Sequence, residues 1–197
     1  MNIDDRLAVL WNLIQRDAGN RGLARDPAEN LFTALPGDLA AACVSLAESG
    51  QHVGIVTGFF IPTARPPAFE TDGPAGAVWL AAVLGHLGFY VTLFAAESLE
   101  PALRAGLEFF PAAPAGRIAV RRIAASHGSA DTADALGKLT HLVFIECVGP
   151  AGDGRCYSMR GVDVTDTPTP GWWLLNQLPA EKRPRTIGIG DGGNEIG

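Results

Sequence analysis

The sequence predicts an α/β fold, a three-layer, doubly wound, mostly parallel sheet with helices on both faces. Short runs rich in β-branched residues and poor in charge, such as HVGIVT (52–57) and HLVFIECV (141–148), read as strands buried on both faces. Segments with apolar residues at helical spacing alternate with those runs. The unusual residues, finally, gather in loops that leave the predicted strands, where ligands bind in such sheets.

Each element has its own signal. Ile3, Leu7, Leu10, Trp11 and Ile14 recur at helical spacing, and Gly19 is expected to close that helix. A second helix is expected from Asp38, a good cap, to Gly50, with Leu39, Cys43 and Leu46 inward. HVGIVT follows as the first strand. A helix over 74–88 and a strand over 90–95 come next, then a surface stretch rich in Pro, Ala and Gly at 101–117. IAVRRIA (118–124) and HLVFIECV read as strands with a helix near 130–139 between them, and TIGIG (186–190) is the last strand. No internal repeat is present, and the 197 residues are expected to form a single domain.

Composition excludes several classes. A formal net charge of −6 without clustered Lys and Arg argues against a nucleic-acid or anionic-membrane surface. The basic run Lys182-Arg183-Pro184-Arg185 is read as solvated. Cys43, Cys147 and Cys156 fit neither C-x-x-C spacing nor a disulfide framework, and the N-terminus has no apolar signal core, so a cytoplasmic location is expected. The uncharged stretch Gly76–Ala96 is long enough to span a bilayer, but Gly85, His86 and Gly88 interrupt it. A buried helix followed by a buried strand explains it better.

The strand-leaving loops are 57–73, 146–163 and 190–197. The last is the most unusual, with five glycines between Gly188 and Gly197, threaded by Asp191, Asn194 and Glu195. It matches G-x-G-x-x-G, yet Asp191 inside a pyrophosphate cradle would repel the phosphates. Two carboxylates beside glycine-rich backbone suit a hard cation better, since Mg²⁺, Mn²⁺ and Ca²⁺ prefer oxygen ligands. The alternative is a tight turn in which Asp191 caps a helix. In FETDGPAGA (69–77), Pro74 suits a helix first turn and Asp72 or Gly73 its cap. Glu70 and Asp72 point the same way on an extended backbone and either serve that helix or supply half of a four-oxygen cation site.

In the third loop, Glu146 leaves a buried strand, a costly place for a carboxylate without a partner. Arg160 offers a bidentate fork to a carboxylate or phosphate, or else a salt bridge to Asp163 or Glu146. Asp163 is a candidate for metal or for structure. The chain has no G-x-S-x-G elbow and no P-loop, and His52, His86, His127 and His141 lack ligand spacing. A nucleophilic hydrolase or a zinc enzyme therefore has no support.

GNRGLA (19–24), IVTGFFIP (55–62), ETDGPAGA (70–77), YSMRGVDVT (157–165) and GIGDGGNEIG (188–197) together resemble the D-glutamate cyclase C-terminal-like family, in order and over nearly the whole chain. The resemblance implies an α/β fold and a lyase of D-amino-acid metabolism that converts D-glutamate to 5-oxo-D-proline with loss of water. Family members usually continue beyond the equivalent of Gly197, so the chain is expected to be truncated at its C-terminus. For that chemistry a divalent cation (Mn²⁺, Mg²⁺ or Ca²⁺) on Glu70, Asp72, Asp191 and Glu195 would polarise the γ-carboxylate. Glu146 or Asp163 would take the ammonium proton. Arg21 or Arg160 would hold the α-carboxylate, with Asn194 a further substrate contact. The expected partner is a small anionic substrate, with no nucleic acid and no membrane, and a homo-oligomer is allowed. A metal-dependent phosphatase or phosphoryl-transfer enzyme, with Arg160 on the phosphate, is the alternative, as is a non-catalytic binder of a small anion or nucleotide.

Overall fold

A computed structural model describes residues 2–196 except 16, 18, 19, 21, 23–25, 27, 29, 112–115, 124–129, 169 and 170, with residues 31 and 32 described by their backbone alone. The chain divides into two compact units, residues 1–49 and 50–197. In the first, helix α1 (Ile3–Ile14) starts at a reciprocal cap. Asn2 Oδ1 accepts the Asp5 N–H at 2.8 Å, and the Asp5 carboxylate accepts the Asn2 N–H at 3.2 Å. The last helical residue is Ile14, and Gly19, the expected stop, lies outside the described residues. A short α2 (Leu31–Ala34) leads to α3 (Asp38–Ser49), which packs with α1. Cys43, expected inward on α3, is exposed, while Leu39 and Leu46 are half-buried. The apolar residues of α3 are spread around the helix, so spacing alone did not choose the packed stripe.

The second unit is built on a five-stranded sheet of β1 (His52–Thr57), β4 (Tyr90–Ala96), β5 (Ile118–Ile123), β6 (His141–Ile145) and β7 (Arg185–Ile189). Their spatial order is β5-β4-β1-β6-β7, and every neighbouring pair is parallel. The expected α/β fold is therefore the observed one. All of β6 and most of β1 and β4 are buried, which is why those segments read as continuous apolar runs.

Helix α4 (Asp72–His86) connects β1 to β4, and α5 (Glu100–Glu108) connects β4 to β5. Helix α6 (Ala130–Gly137) lies between β5 and β6. Ala135 and Leu136 of α6 join Val56, Phe94, Leu142, Phe144 and Leu174 in one apolar cluster. Helix α4 covers strand residues of the opposite alternation, with Gly73 against Thr57 and Gly76 against Ile145. The order of winding reverses between β1 and β6, and in such sheets ligands bind at that reversal, beyond the carboxyl ends of the strands.

Three local features differ from expectation. Helix α5 occupies much of the stretch read as loop. Pro101 sits in its first turn, where the missing N–H costs nothing, and Leu103 is its one buried residue. Helix α4 begins at Asp72 with Thr71, rather than Asp72 or Gly73, at its cap position. A small hairpin, β2 (Phe60–Ile61) and β3 (Ala68–Phe69), lies between β1 and α4, its two phenylalanine rings meeting edge to face at 5.2 Å. The interrupted apolar stretch is α4 and β4, joined through Gly88 at φ +97°, a left-handed turn that suits glycine. Among the described residues no helix is long and apolar enough to cross a membrane.

Candidate active site

The register of the sheet places the site. Thr57 pairs with Ile145, and Ile145 with Ile189, so three strands end side by side. Glu146 is the first residue beyond β6, and its N–H donates to the Ile189 carbonyl at 2.9 Å. Its φ is +49°, a left-handed conformation that costs a side-chain-bearing residue of order 1–3 kcal/mol. That turn directs the chain out of the sheet at the reversal point, with a carboxylate on the turning residue.

Around Glu146 the expected carboxylates converge. Oxygen atoms of Glu70, Asp72 and Glu146 lie within 4.8 Å of one another, and so do those of Glu146, Asp191 and Glu195. Glu146 is common to both groups. Glu70 and Asp72 arrive from the junction of β3 and α4, where the Glu70 N–H donates to the Phe59 carbonyl at 2.9 Å. Asp191 and Glu195 arrive from the loop after β7. Burial raises the Glu146 pKa, and the negative charges of Glu195, Asp191, Asp72 and Glu70 add to it, to about 8.

The glycine-rich tail does not begin a helix among the described residues. It turns at Gly193, φ +77°, and returns antiparallel to the chain leaving β6. The Gly149 N–H donates to the Asn194 carbonyl and the Ile196 N–H to the Cys147 carbonyl, each at 2.8 Å. Gly192 donates its N–H to both Glu195 carboxylate oxygens at 3.0 Å, and Asn194 adds its own at 3.2 Å. Three of these glycines have physical reasons. Gly193 needs the positive φ, and a Cβ at Gly190 or Gly192 would stand 2.7 Å from Glu195 atoms.

The remaining candidates fall in different places. The Asn194 side-chain amide donates to the Tyr157 carbonyl at 2.9 Å, while its Oδ1 is buried without a hydrogen-bond partner. Asp163 belongs to neither carboxylate group. Its Oδ1 accepts the Thr165 hydroxyl at 2.6 Å and the Thr165 N–H at 2.9 Å, and it pairs with Arg155. The Thr165 bonds and Arg155 hold its pKa below the usual carboxylate range. Arg160 is exposed on the turn closed by the Ser158 N–H and the Val162 carbonyl, and makes no ion pair among the described residues. Arg21 lies outside the described residues.

Sequence reasoning missed Thr57. The residue is 0% exposed, and its Oγ1 has no hydrogen-bond partner. A Cβ at Gly73 would stand 2.8 Å from that oxygen and 2.9 Å from Glu146 Cβ. Only its position, last in a strand at the reversal point, could have signalled it. Cys147, beside Glu146, is no nucleophile. Its thiol is buried, donates to the Val56 carbonyl at 3.3 Å, and is pushed upward in pKa by burial.

Comparison with known proteins adds two findings. The family model described as D-glutamate cyclase-like, C-terminal, matches residues 10–197. The human protein named D-glutamate cyclase, mitochondrial, is 29% identical over 216 aligned residues, covering 100% of this chain and 32% of the relative. The chain thus spans about a third of the length of the curated relative it matches.

Proposed function

This chain belongs to the D-glutamate cyclase-like, C-terminal family, and from that premise we propose that it cyclises D-glutamate, or a close acidic relative, to 5-oxo-D-proline. In the reaction the amine forms a C–N bond to the γ-carboxyl carbon, a C–O bond breaks, and water leaves. The observation that carries the reading is the meeting of Glu70, Asp72, Asp191 and Glu195 around Glu146 at the carboxyl end of a parallel sheet.

The donor set fits a hard divalent cation. All its members are oxygen ligands, with no Cys or His among them, and two buried oxygens without partners, Thr57 Oγ1 and Asn194 Oδ1, border it. Glu70, Asp72, Asp191 and Glu195 would hold the cation, beside Glu146. When bound, Mn²⁺ or Mg²⁺ supplies positive charge that draws electron density from the γ-carboxylate and stabilises charge gathering on its oxygens.

The chain's own residues supply the rest. An α-ammonium group cannot attack until it loses a proton, and an ionised carboxylate among other carboxylates attracts that ammonium. Burial raises the Glu146 pKa, which suits a carboxyl group that must carry a proton as well as give it up. In its ionised form it takes the first ammonium proton and passes it to the departing oxygen, and the nitrogen's second proton follows the same route after the attack, so that the oxygen leaves as water and the lactam nitrogen keeps one proton. We assign the proton role to Glu146 over Asp163, whose oxygens are engaged by Thr165 and Arg155. Arg160, exposed on its turn, is the residue we assign to the substrate α-carboxylate. We place this chemistry in a reducing compartment, since Cys43, Cys147 and Cys156 are all free thiols.

A thermal-shift panel tests the reading: D-glutamate, L-glutamate, 5-oxo-D-proline and inorganic phosphate, each with and without Mn²⁺. Stabilisation by D-glutamate and 5-oxo-D-proline that requires Mn²⁺ is expected. Stabilisation by phosphate alone would move the assignment to phosphoryl chemistry.

A further inference from the structure

We propose that Cys147 is the positioning residue for Glu146; this deepens the reading above and rests on it for the role of that carboxylate. Cys147 fills the place in the apolar core that strand alternation assigns to position 146. In doing so it keeps the Glu146 side chain among the other acids.

Along β6, side chains alternate between the two faces of the sheet. Leu142 and Phe144 belong to the apolar cluster that includes Ala135 and Leu136 of α6. Ile145 faces the other way, its Cγ2 3.7 Å from where a Cβ at Gly76 of α4 would stand. Continued alternation would send residue 146 back into the cluster, and a carboxylate buried among apolar side chains is costly. The chain does otherwise. Glu146 Cβ lies 2.9 Å from the position of a Cβ at Gly73, on the α4 side, so Ile145 and Glu146 point to the same face. Cys147, 0% exposed, takes the place in the cluster instead.

The step that breaks the alternation is the left-handed turn at Glu146, φ +49°. Among the described residues, glycines aside, Asn20 and Glu146 alone have a positive φ. Asparagine adopts that conformation readily, whereas glutamate must be held in it. The main chain is tied on both sides of the turn. The Glu146 N–H donates to the Ile189 carbonyl at 2.9 Å, and the Cys147 carbonyl accepts the Ile196 N–H at 2.8 Å. The Cys147 side chain adds what those bonds do not, a reason for residue 147 rather than 146 to face the cluster. Its thiol donates to the Val56 carbonyl at 3.3 Å and lies 3.5 Å from the Ile145 carbonyl. Ile196 packs against the same cluster. One buried residue thus ties β1, β6 and the tail that carries Asp191 and Glu195 to the turn. Cysteine suits the place as a small apolar side chain with a donor.

Two measurements on the 197-residue chain test this. The first is the melting temperature of Glu146→Gly and Glu146→Ala, each made in wild type and in Cys147→Ala. Glycine takes a positive φ freely and alanine does not, so Glu146→Gly should melt about 2–4 °C above Glu146→Ala. In Cys147→Ala that gap should shrink by about half or more, because the turn is no longer enforced. The second is steady-state formation of 5-oxo-D-proline from D-glutamate with Mn²⁺. Cys147→Ala should lower kcat about tenfold or more with KM little changed. Cys147→Ser, which keeps the size and the donor, should recover most of the loss. No gap in wild type, or an undiminished one in Cys147→Ala, would overturn the hold of Cys147 on the turn, whatever the activity. A diminished gap with an unchanged kcat would overturn its service to Glu146. A wild type that forms no product would overturn the cyclase reading, while the melting temperatures would still decide whether Cys147 holds the turn.

Discussion

Gly192 donates its backbone N–H to both carboxylate oxygens of Glu195, at 3.0 Å to each. The bond fixes a carboxylate by means of the loop that carries it. Gly192→Ala would put a Cβ 2.5 Å from Asn194 Oδ1 and 2.7 Å from Glu195 Oε1, so both must move. We expect Mn²⁺ affinity, read by calorimetry, to fall about ten- to a hundredfold. The melting temperature should change little, because the loop lies outside the strand core.

Two glycines near the start of α4, Gly73 and Gly76, should respond in opposite directions to the same substitution. A Cβ at Gly76 would meet Ile145 Cγ2 at 3.7 Å, an ordinary contact, so Gly76→Ala should stabilise by about 0.5–1 kcal/mol. Gly73→Ala gains the same helix propensity but forces Thr57 or Glu146 to shift, and should destabilise. Chemical denaturation of both variants measures the difference. Stabilisation by Gly73→Ala would show that the contact between α4 and Glu146 is looser than described.

Glu146 sets a pH dependence with a definite sign. Its folded pKa, about 8, lies above the ordinary 4.5, so the folded chain binds its proton more tightly than the unfolded chain. The resulting stability is fully present below about pH 4.5 and is lost as pH rises through 8. The melting temperature of wild type minus that of Glu146→Gln should therefore fall between pH 5 and 8.5 without divalent cation. With Mn²⁺, which competes with the proton, the stabilisation by cation should grow over the same range. A difference independent of pH would contradict the crowding of carboxylates around Glu146.

Asp163 and Arg160 should separate by what they change. Asp163→Asn should weaken the loop held by Thr165 and Arg155 and lower activity only a fewfold. Arg160→Lys keeps the charge but loses the bidentate fork, so KM should rise far more than kcat falls. Steady-state kinetics on both variants decides. A collapse of kcat in Asp163→Asn would return the proton role to that residue.

Much of the sheet was legible because a strand buried on both faces must be apolar throughout, and HVGIVT matches β1 residue for residue. The loops that matter were legible for the same reason, since parallel strands fix the end at which ligands bind. Helix α5 was not, because a surface helix that begins with Pro101 and buries only Leu103 has the composition of a loop. The signal available was Leu99 and Leu103, both buried and four residues apart, with the ion pair of Glu100 and Arg104 at the same spacing. The acidic residues could be singled out one by one, but only tertiary structure brings Glu146 between two groups of them. Thr57 carried no signal beyond its position at the strand end, since a threonine closing a strand looks the same whether or not its hydroxyl has a partner.

The central claim is that this chain forms a lactam from an acidic amino acid with Glu146 moving the proton. The direct measurement follows 5-oxo-D-proline by proton NMR after D-glutamate and Mn²⁺ are added to wild type, to Glu146→Gln, and to wild type with excess chelator. The account predicts product with wild type alone, and a loss of about a hundredfold or more in Glu146→Gln while Mn²⁺ and D-glutamate are saturating. Equal product formation by wild type and Glu146→Gln, or none by a wild type that binds both Mn²⁺ and D-glutamate, would contradict it.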